Sequence, residues 1–186
     1  MKTLTRKVWT DAALMALPTE RGKFELIDGK LSRMSPANND HGYIEARIVS
    51  ALQNFVASQR SGLVYGPSTG FRLDPENVLS PDASYASREW VQRSGTRPGE
   101  FFRGTPELAV EVISPSERRG QIRLKVEKYF ACGTRLVWLV YPLKKRVDIY
   151  TSPDEMISKE ANEVLDGGEV LPGFRLPLEE VFATWF

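Results

Sequence analysis

The chain has 186 residues, of which 41% are hydrophobic and 26% are charged, and these values are typical of one globular domain over residues 1–186. Its longest uninterrupted apolar run, at residues 136–141, is too short to cross a membrane, and no apolar leader segment follows the basic N-terminal residues. One cysteine and one histidine exclude an internal disulfide framework and a zinc site of nitrogen and sulfur ligands. We therefore expect a cytoplasmic protein.

The net charge of +1 conceals an uneven distribution of charge along the chain. Residues 154–186 carry eight acidic and two basic side chains, so the preceding residues have a surplus of positive charge. This surplus permits a polyanionic partner such as nucleic acid without requiring one. A protein dedicated to coating duplexes would be more basic.

The first third of the chain predicts a helix, a hairpin and a longer helix. A short helix begins at Thr10 or Asp11 and ends before Pro18. The strands at 24–27 and 30–34 are joined by Asp28 and Gly29, a pair that suits the positive φ angles of a tight turn. The longer helix follows a cap in the segment 38–40, and its apolar residues repeat at helical spacing: Ile44, Ile48, Leu52, Phe55 and Val56.

The rest of the chain alternates strands with one further helix. Strands are predicted at 63–65, 70–73, 82–85, 108–113, 136–141 and 146–150, and a long loop at 88–103. The continuous apolar run at 108–113 indicates a central strand. A helix from Pro115 or Ser116 to Ala131 follows it, with Gly133 just beyond its end, and short strands with a last turn near 178–185 close the chain. This order predicts an α/β fold with a mixed sheet flanked by helices.

Glu111 is the least ordinary residue of this pattern, because it lies within the predicted central strand. A carboxylate is rarely buried without a partner or a metal, since removing its charge from water costs several kcal/mol. The alternative is an edge strand on which Glu111 faces water, but the flanking apolar residues leave no polar face. We therefore interpret Glu111 as a candidate site residue.

Asp82 follows Pro81 at the start of another predicted strand, where an aspartate can also simply form a turn. If this strand lies beside that of Glu111, the two carboxylates form an oxygen-rich site suited to Mg²⁺ or Mn²⁺. Such an ion lowers the pKa of bound water and neutralises charge on a reacting phosphodiester.

Two lysines on the predicted helix after Glu111 differ in a helical projection. The buried stripe of this helix consists of residues at helical spacing, Ile122, Val126, Tyr129 and Phe130. Lys125 lies at the edge of the stripe, whereas Lys128 is expected to face solvent. Only Lys125 is therefore expected to reach Glu111, although a surface lysine with a partly buried stem would have the same spacing.

Glu25 and His41 have two interpretations each. Glu25 shares a strand face with Ile27, so it points either inward or into water. His41 lies at a helix start, one turn before Glu45, and could act as a base, hold a phosphate or pair locally at the helix terminus.

Several segments together carry a family resemblance over roughly residues 20–150. They are Phe24-Glu25-Leu26-Ile27-Asp28-Gly29, Ser35-Pro36, His41-Gly42, Pro81-Asp82, Glu107 through Glu111 to Ser116, Lys125 with Tyr129, and Trp138-Leu139-Val140. This set resembles the Uma2-type restriction endonuclease family of the PD-(D/E)xK nuclease superfamily. The segment Glu111-Val112-Ile113-Ser114-Pro115-Ser116 is its most specific part.

The resemblance implies a restriction-endonuclease-like mixed sheet, with Asp82 and Glu111 as ligands of Mg²⁺. The superfamily lysine would stand at Ile113, and in this family it has moved to the following helix, where it matches Lys125. Glu25 matches the N-terminal acid of the family. Gln121 and Tyr141 depart from residues that the family often has, which bears on efficiency or substrate more than on the fold.

We interpret the chain as a divalent-metal phosphodiesterase that acts on DNA. Asp82, Glu111 and the carbonyl of Val112 would hold the metal. Lys125 would position the attacking water or help to deprotonate it, and would offset charge in the transition state. Glu25 would complete the site by holding a water on the metal or Lys125. The basic side chains of the same helix would meet the phosphate backbone, namely Arg118, Arg119 and Arg123.

Two other functions remain open at this point. The fold could serve as a catalytically silent module that binds nucleic acid or protein, or as a hydrolase of a smaller phosphoester with a closed pocket. For assembly, the aromatic C-terminus of Phe182, Trp185 and Phe186 forms either core or interface, and a homodimer is our expectation.

Overall fold

The computed structural model describes residues 9–18, 22–34, 36 and 38–183, whose strands form two larger sheets and a two-stranded ribbon. The helices are α1 (Asp11–Met15), α2 (Asn39–Gln59), α3 (Arg88–Ser94), α4 (Arg119–Ala131) and α5 (Leu178–Phe182). The strands are β1 (Phe24–Ile27), β2 (Lys30–Arg33), β3 (Gly62–Tyr65), β4 (Phe71–Asp74), β5 (Asn77–Leu79), β6 (Ala83–Ser87), β7 (Phe102–Arg103), β8 (Leu108–Val112), β9 (Leu136–Tyr141), β10 (Arg146–Tyr150), β11 (Met156–Glu160), β12 (Val164–Gly167) and β13 (Leu171–Pro177).

The larger sheet has six strands in the order β11-β10-β9-β8-β6-β3 and contains the predicted central strand. Strand β8 runs parallel to β9 and antiparallel to β6, and all of its residues are buried. Parallel pairing needs a crossover connection, which α4 provides between β8 and β9. The mixed sheet and the crossover helix confirm the predicted α/β class.

The second sheet has five strands in the order β2-β1-β5-β4-β7, and the predicted hairpin forms its edge. Strands β1 and β2 pair in register from Phe24 with Arg33 to Ile27 with Lys30. Asp28 and Gly29 have φ angles of 49° and 66°, which a tight two-residue turn requires and which aspartate and glycine tolerate better than most residues. The predicted hairpin with its two-residue turn is therefore confirmed.

Two helices cover opposite faces of the six-stranded sheet and define two cores. Helix α2 packs its buried stripe against one face, in the first core, with Ile44, Ile48, Leu52 and Val56. Helix α4 packs against the other face, in the second core, with Ile122, Val126 and Tyr129. The second core also contains Phe71 and Leu79 of the five-stranded sheet. Side chains that alternate along β8 therefore enter different cores.

Two predicted boundaries are wrong. The segment 88–103 is not a continuous loop, because Ser87 accepts a hydrogen bond from the Trp90 N–H and begins α3, which ends at Gly95 with a φ angle of 60°. Helix α4 begins at Arg119 rather than at Pro115 or Ser116. The Ser114 N–H donates to the Glu117 carboxylate at 2.6 Å, and this contact forms a separate turn before the helix.

The C-terminal segment contains β11, β12 and β13, followed by α5. This order agrees with the predicted short strands and last turn. Phe182 is buried in the first core, which favours core closure for this side chain. Trp185 and Phe186 lie outside the described residues, and the homodimer stays a prediction. Among the described helices, none combines the length and apolar character needed to cross a membrane.

Candidate active site

Glu111 lies on β8 and points into the second core. The neighbouring residues Val110 and Val112 belong to the first core, whereas Ala109 and Ile113 belong to the second. Because side chains alternate along a strand, Glu111 shares the face of Ala109 and Ile113 and is directed towards α4. Its side chain is only 7% exposed, so the edge-strand alternative is wrong.

Lys125 and Tyr129 of α4 bind the two oxygens of the Glu111 carboxylate. The Lys125 ammonium donates to Glu111 Oε2 at 2.9 Å, and the Tyr129 hydroxyl donates to Oε1 at 2.7 Å. These residues are four apart, so one helical face presents both donors. The projection that placed Lys125 beside the strand of Glu111 agrees with this geometry.

Glu25 on β1 provides a second carboxylate for the same lysine. Its Oε2 lies 3.0 Å from Lys125 Nζ, and its Oε1 accepts the Ser80 N–H at 3.0 Å. Glu25 is buried, so of the two orientations considered from the sequence, inward or into water, the side chain has the inward one. The ammonium of Lys125 is therefore held between two buried carboxylates from two different sheets.

Burial and charge shift the proton affinities of this group. Burial raises the pKa of Glu111 to about 8; the charge of Lys125 opposes this shift, and those of Glu25 and Asp82 add to it. Burial alone would lower the pKa of Lys125, but its two carboxylate partners outweigh it, so the pKa lies above the ordinary lysine value. Burial also raises the pKa of Tyr129 well above the ordinary phenol value. Lys125 and Tyr129 are thus held as proton donors that face the carboxyl groups of Glu25 and Glu111.

Asp82 stands directly before β6, beside the end of β8. Its Oδ2 accepts the Val112 N–H at 2.6 Å, which places its carboxylate next to the residue that follows Glu111. Val112 contacts Asp82 through its N–H, and a metal-binding role of its carbonyl stays a prediction.

His41 and Glu45, four residues apart on α2, approach Asp82 from the other side. His41 Nε2 lies 3.2 Å from Asp82 Oδ1 and 4.0 Å from Glu45 Oε2. The hydrogen bond with Asp82 raises the pKa of His41, against the opposing effect of burial. Burial also raises the pKa of Glu45, and the charge of Asp82 adds to this shift.

This donor set fits a divalent cation. The ligand atoms of His41, Glu45 and Asp82 all lie within 4.8 Å of one another, the one such group found among the described residues. Two carboxylates and an imidazole are ligands that divalent metals accept. Glu111 is not a member of this group, but its carboxylate retains acceptor capacity beyond the bonds to Lys125 and Tyr129.

The basic residues at the start of α4 and along it differ in whether they pair with acidic side chains. Arg118 and Arg119 are exposed at the start of α4. Arg123 instead donates to Glu127 at 2.7 Å and to Asp154 at 2.9 Å. Lys128 was expected to face solvent, and this expectation is wrong. Its side chain is 15% exposed and pairs with Asp28 of the β1–β2 turn, because the hairpin packs along this side of α4.

Tyr129 and Glu45 were not among the site residues predicted from the sequence. The available signal was the spacing of four residues that connects Tyr129 to Lys125 and Glu45 to His41. The Ser80 N–H, which binds Glu25, gives no signal in the sequence because every residue other than proline carries such a donor.

Comparisons with known proteins bear on the family and the fold of this chain. The sequence profile of the Uma2 family, described as "putative restriction endonuclease", matches residues 11–179. A crystal structure from Anabaena variabilis, described as a "putative nuclease belonging to DUF820", has the same fold with a TM-score of 0.76 and 20% sequence identity. The alignment covers 93% of this chain and 97% of that one. A search of curated proteins found no match. Since the profile spans most of the sequence, the chain belongs to the Uma2 family.

Proposed function

We propose that the chain is a divalent-metal-dependent endonuclease that hydrolyses phosphodiester bonds of DNA. Family membership supports a nuclease in general. The observation that carries the finer proposal is the placement of Lys125 between Glu25 and Glu111, with the Asp82 carboxylate bound to the N–H of Val112, the next residue on β8. An ammonium among converging carboxylates is an arrangement suited to hydrolysis of a charged ester.

Asp82 and Glu111 are the residues that would hold Mg²⁺ or Mn²⁺ in this proposal. The surplus of carboxylates over ammonium groups in the site attracts a dication, and oxygen ligands suit either metal. When bound, the metal would lower the pKa of water and neutralise charge on the phosphate. The remaining chemistry belongs to side chains of this chain.

Lys125 positions the attacking water and stabilises the negative charge that develops on the oxygens of the reacting phosphate. The protonated ammonium donates hydrogen bonds from a position fixed by Glu25 and Glu111, so little reorganisation is needed when charge develops. Glu25 positions Lys125 and is itself fixed by the Ser80 N–H. Tyr129 positions Glu111 from the other oxygen and remains protonated because its pKa is raised.

Arg118 and Arg119 are the exposed basic residues of α4 best placed to meet a phosphate backbone. Arg123 contributes less to this contact, because Glu127 and Asp154 already neutralise it. DNA-binding contacts of this kind weaken with salt, since they release counterions from the phosphates.

The experiment is incubation of the purified chain with supercoiled plasmid and with labelled oligonucleotides, in Mg²⁺, in Mn²⁺ and in EDTA. We expect nicking and linearisation in either metal and none in EDTA. DNA binding without cleavage in any metal would contradict the proposal and favour the alternative, a nuclease-fold module that binds nucleic acid.

A further inference from the structure

His41 and Glu45 face Asp82 from a different element, and the proposed function assigns them no role. His41 Nε2 lies 3.2 Å from Asp82 Oδ1, and the Glu45 carboxylate completes a group whose ligand atoms lie within 4.8 Å of one another. The side chains of His41, Glu45 and Asp82 are 16%, 19% and 10% exposed, so the group is sheltered and still reaches solvent. A dissolved cation can therefore enter it.

We propose that His41 and Glu45 bind the same divalent cation as Asp82. Together with Glu111, the metal centre then has one imidazole and three carboxylates, and it binds Mn²⁺ more tightly than Mg²⁺. Mg²⁺ strongly prefers oxygen ligands, whereas first-row transition metals also accept an imidazole nitrogen. This inference rests on the proposed function and deepens it, because it names the ligands and the kind of cation.

The spacing of the donor atoms supports a shared cation. In an octahedral site with metal–ligand distances of about 2.1–2.2 Å, adjacent ligand atoms lie about 3 Å apart. The 3.2 Å between His41 Nε2 and Asp82 Oδ1 is close to that value. Glu45 Oε2, at 4.0 Å from the same nitrogen, needs only a small side-chain rotation to join them.

The donors are also held in place by the backbone around them. Asn38 caps α2 and accepts the His41 N–H at 2.9 Å, which fixes the first turn of that helix. The spacing of four residues then places Glu45 on the same face as His41. Asp82 is fixed by the Val112 N–H at 2.6 Å. A preformed arrangement loses less entropy on binding than one that must first assemble.

The charge of the group favours a dication. Asp82 and Glu45 contribute two negative charges when ionised, and a neutral imidazole contributes none. Other charges act on the group from its surroundings, since Lys23 partly opposes the raised pKa of Glu45 and Glu117 adds to the raised pKa of His41. The alternative function of His41 is a simple ion pair with Asp82, which would fasten α2 to the sheet without any metal.

Pulsed electron paramagnetic resonance of Mn²⁺ separates these two functions. The measurement uses the full chain without a histidine tag and without DNA, and it detects nitrogen nuclei bound directly to the ion. The chain has a single histidine, so an imidazole coupling can arise only from His41. We expect this coupling in the wild type and its loss in His41→Ala, together with a weakening of Mn²⁺ binding by roughly tenfold or more.

Variants of matched charge test the role of Glu45. Glu45→Gln should weaken Mn²⁺ binding, whereas Asp40→Asn, which removes a carboxylate from the same end of α2 outside the group, should change it little. The preference for Mn²⁺ over Mg²⁺ should shrink in His41→Ala. If His41→Ala does not fold, the nitrogen coupling of the wild type alone decides the question.

The outcomes distinguish this inference from the proposed function. Mn²⁺ that binds without nitrogen coupling, and with equal affinity in wild type and His41→Ala, overturns the inference even if the enzyme cleaves DNA. Nitrogen coupling in a chain that cleaves no DNA supports the inference and overturns the proposed function. Absence of Mn²⁺ binding overturns both.

Discussion

Replacement of Lys125 by alanine removes the ammonium that pairs with Glu25 and Glu111. At the 2.9 Å separation of Lys125 and Glu111, the attraction is about 6 kcal/mol for an effective dielectric constant of about 20, before desolvation is subtracted. Loss of one partner from a buried pair typically lowers the free energy of unfolding by about 3–5 kcal/mol. We expect Lys125→Ala to lower the free energy of unfolding by about 3 kcal/mol, the lower end of this range. The loss is limited because burial raises the pKa of Glu111 to about 8, so the unpaired carboxylate can take up a proton.

The same change should lower the rate of DNA cleavage by roughly 10²–10⁴ while the chain remains folded. The assay is single-turnover cleavage of a labelled duplex, with urea unfolding of each variant in parallel. Lys125→Arg should restore little activity, because a planar guanidinium does not reproduce a compact ammonium.

Lys128→Ala is the matched control, since Lys128 lies on the same helix and also forms an ion pair. Its partner Asp28 is 51% exposed, so the pair contributes only about 0–1 kcal/mol to the free energy of unfolding. We expect nearly unchanged cleavage. Equal rate losses in the two alanine variants, or normal cleavage by folded Lys125→Ala, would refute the assignment of Lys125.

Three further changes have defined outcomes. Tyr129→Phe removes the hydroxyl that donates to Glu111 and should lower the free energy of unfolding, measured in urea, by about 1–3 kcal/mol. An unchanged free energy would mean that this hydrogen bond does not stabilise the fold. Leu52→Ala should lower the same quantity by about 2–5 kcal/mol, because Leu52 is fully buried, and a loss well under about 1 kcal/mol would contradict the packing of α2. The hydrogen bond from the Glu160 N–H lowers the pKa of Glu163 in the folded chain. The ionised carboxylate therefore stabilises the fold at a pH above its ordinary pKa, and this stabilisation is lost as the pH falls through the pKa of the folded state. Urea unfolding should therefore separate Glu163→Gln from wild type at about pH 7 and much less at about pH 3, and a gap that widens in acid would contradict this sign.

The sequence predicted the elements with strong local signals. Asp28 and Gly29 specified the hairpin turn, and the continuous apolar run around Glu111 specified a buried central strand. Helical spacing placed Lys125 at the edge of the buried stripe, where the structure has it. These predictions succeeded because each depends on a short segment and its own periodicity.

Features that depend on distant packing were predicted poorly. A projection of α4 alone cannot show that the β1–β2 turn covers Lys128, because Asp28 is 100 residues away. The segment 88–103 has the composition of a loop, and α3 forms in it through the cap at Ser87. The convergence of His41 on Asp82 likewise depends on where α2 begins relative to the sheet, which no local pattern encodes.

Cleavage of DNA by a variant of Glu111 tests the central claim most directly. Wild type should nick supercoiled plasmid in Mg²⁺ or Mn²⁺, and Glu111→Gln should lower the rate at least about 100-fold. Glu107→Gln is the matched control, because Glu107 accepts the Ser87 N–H, whereas Lys125 pairs with Glu25 and Glu111. Equal cleavage by wild type and folded Glu111→Gln, or cleavage that persists in EDTA, would contradict a metal-dependent site at this position.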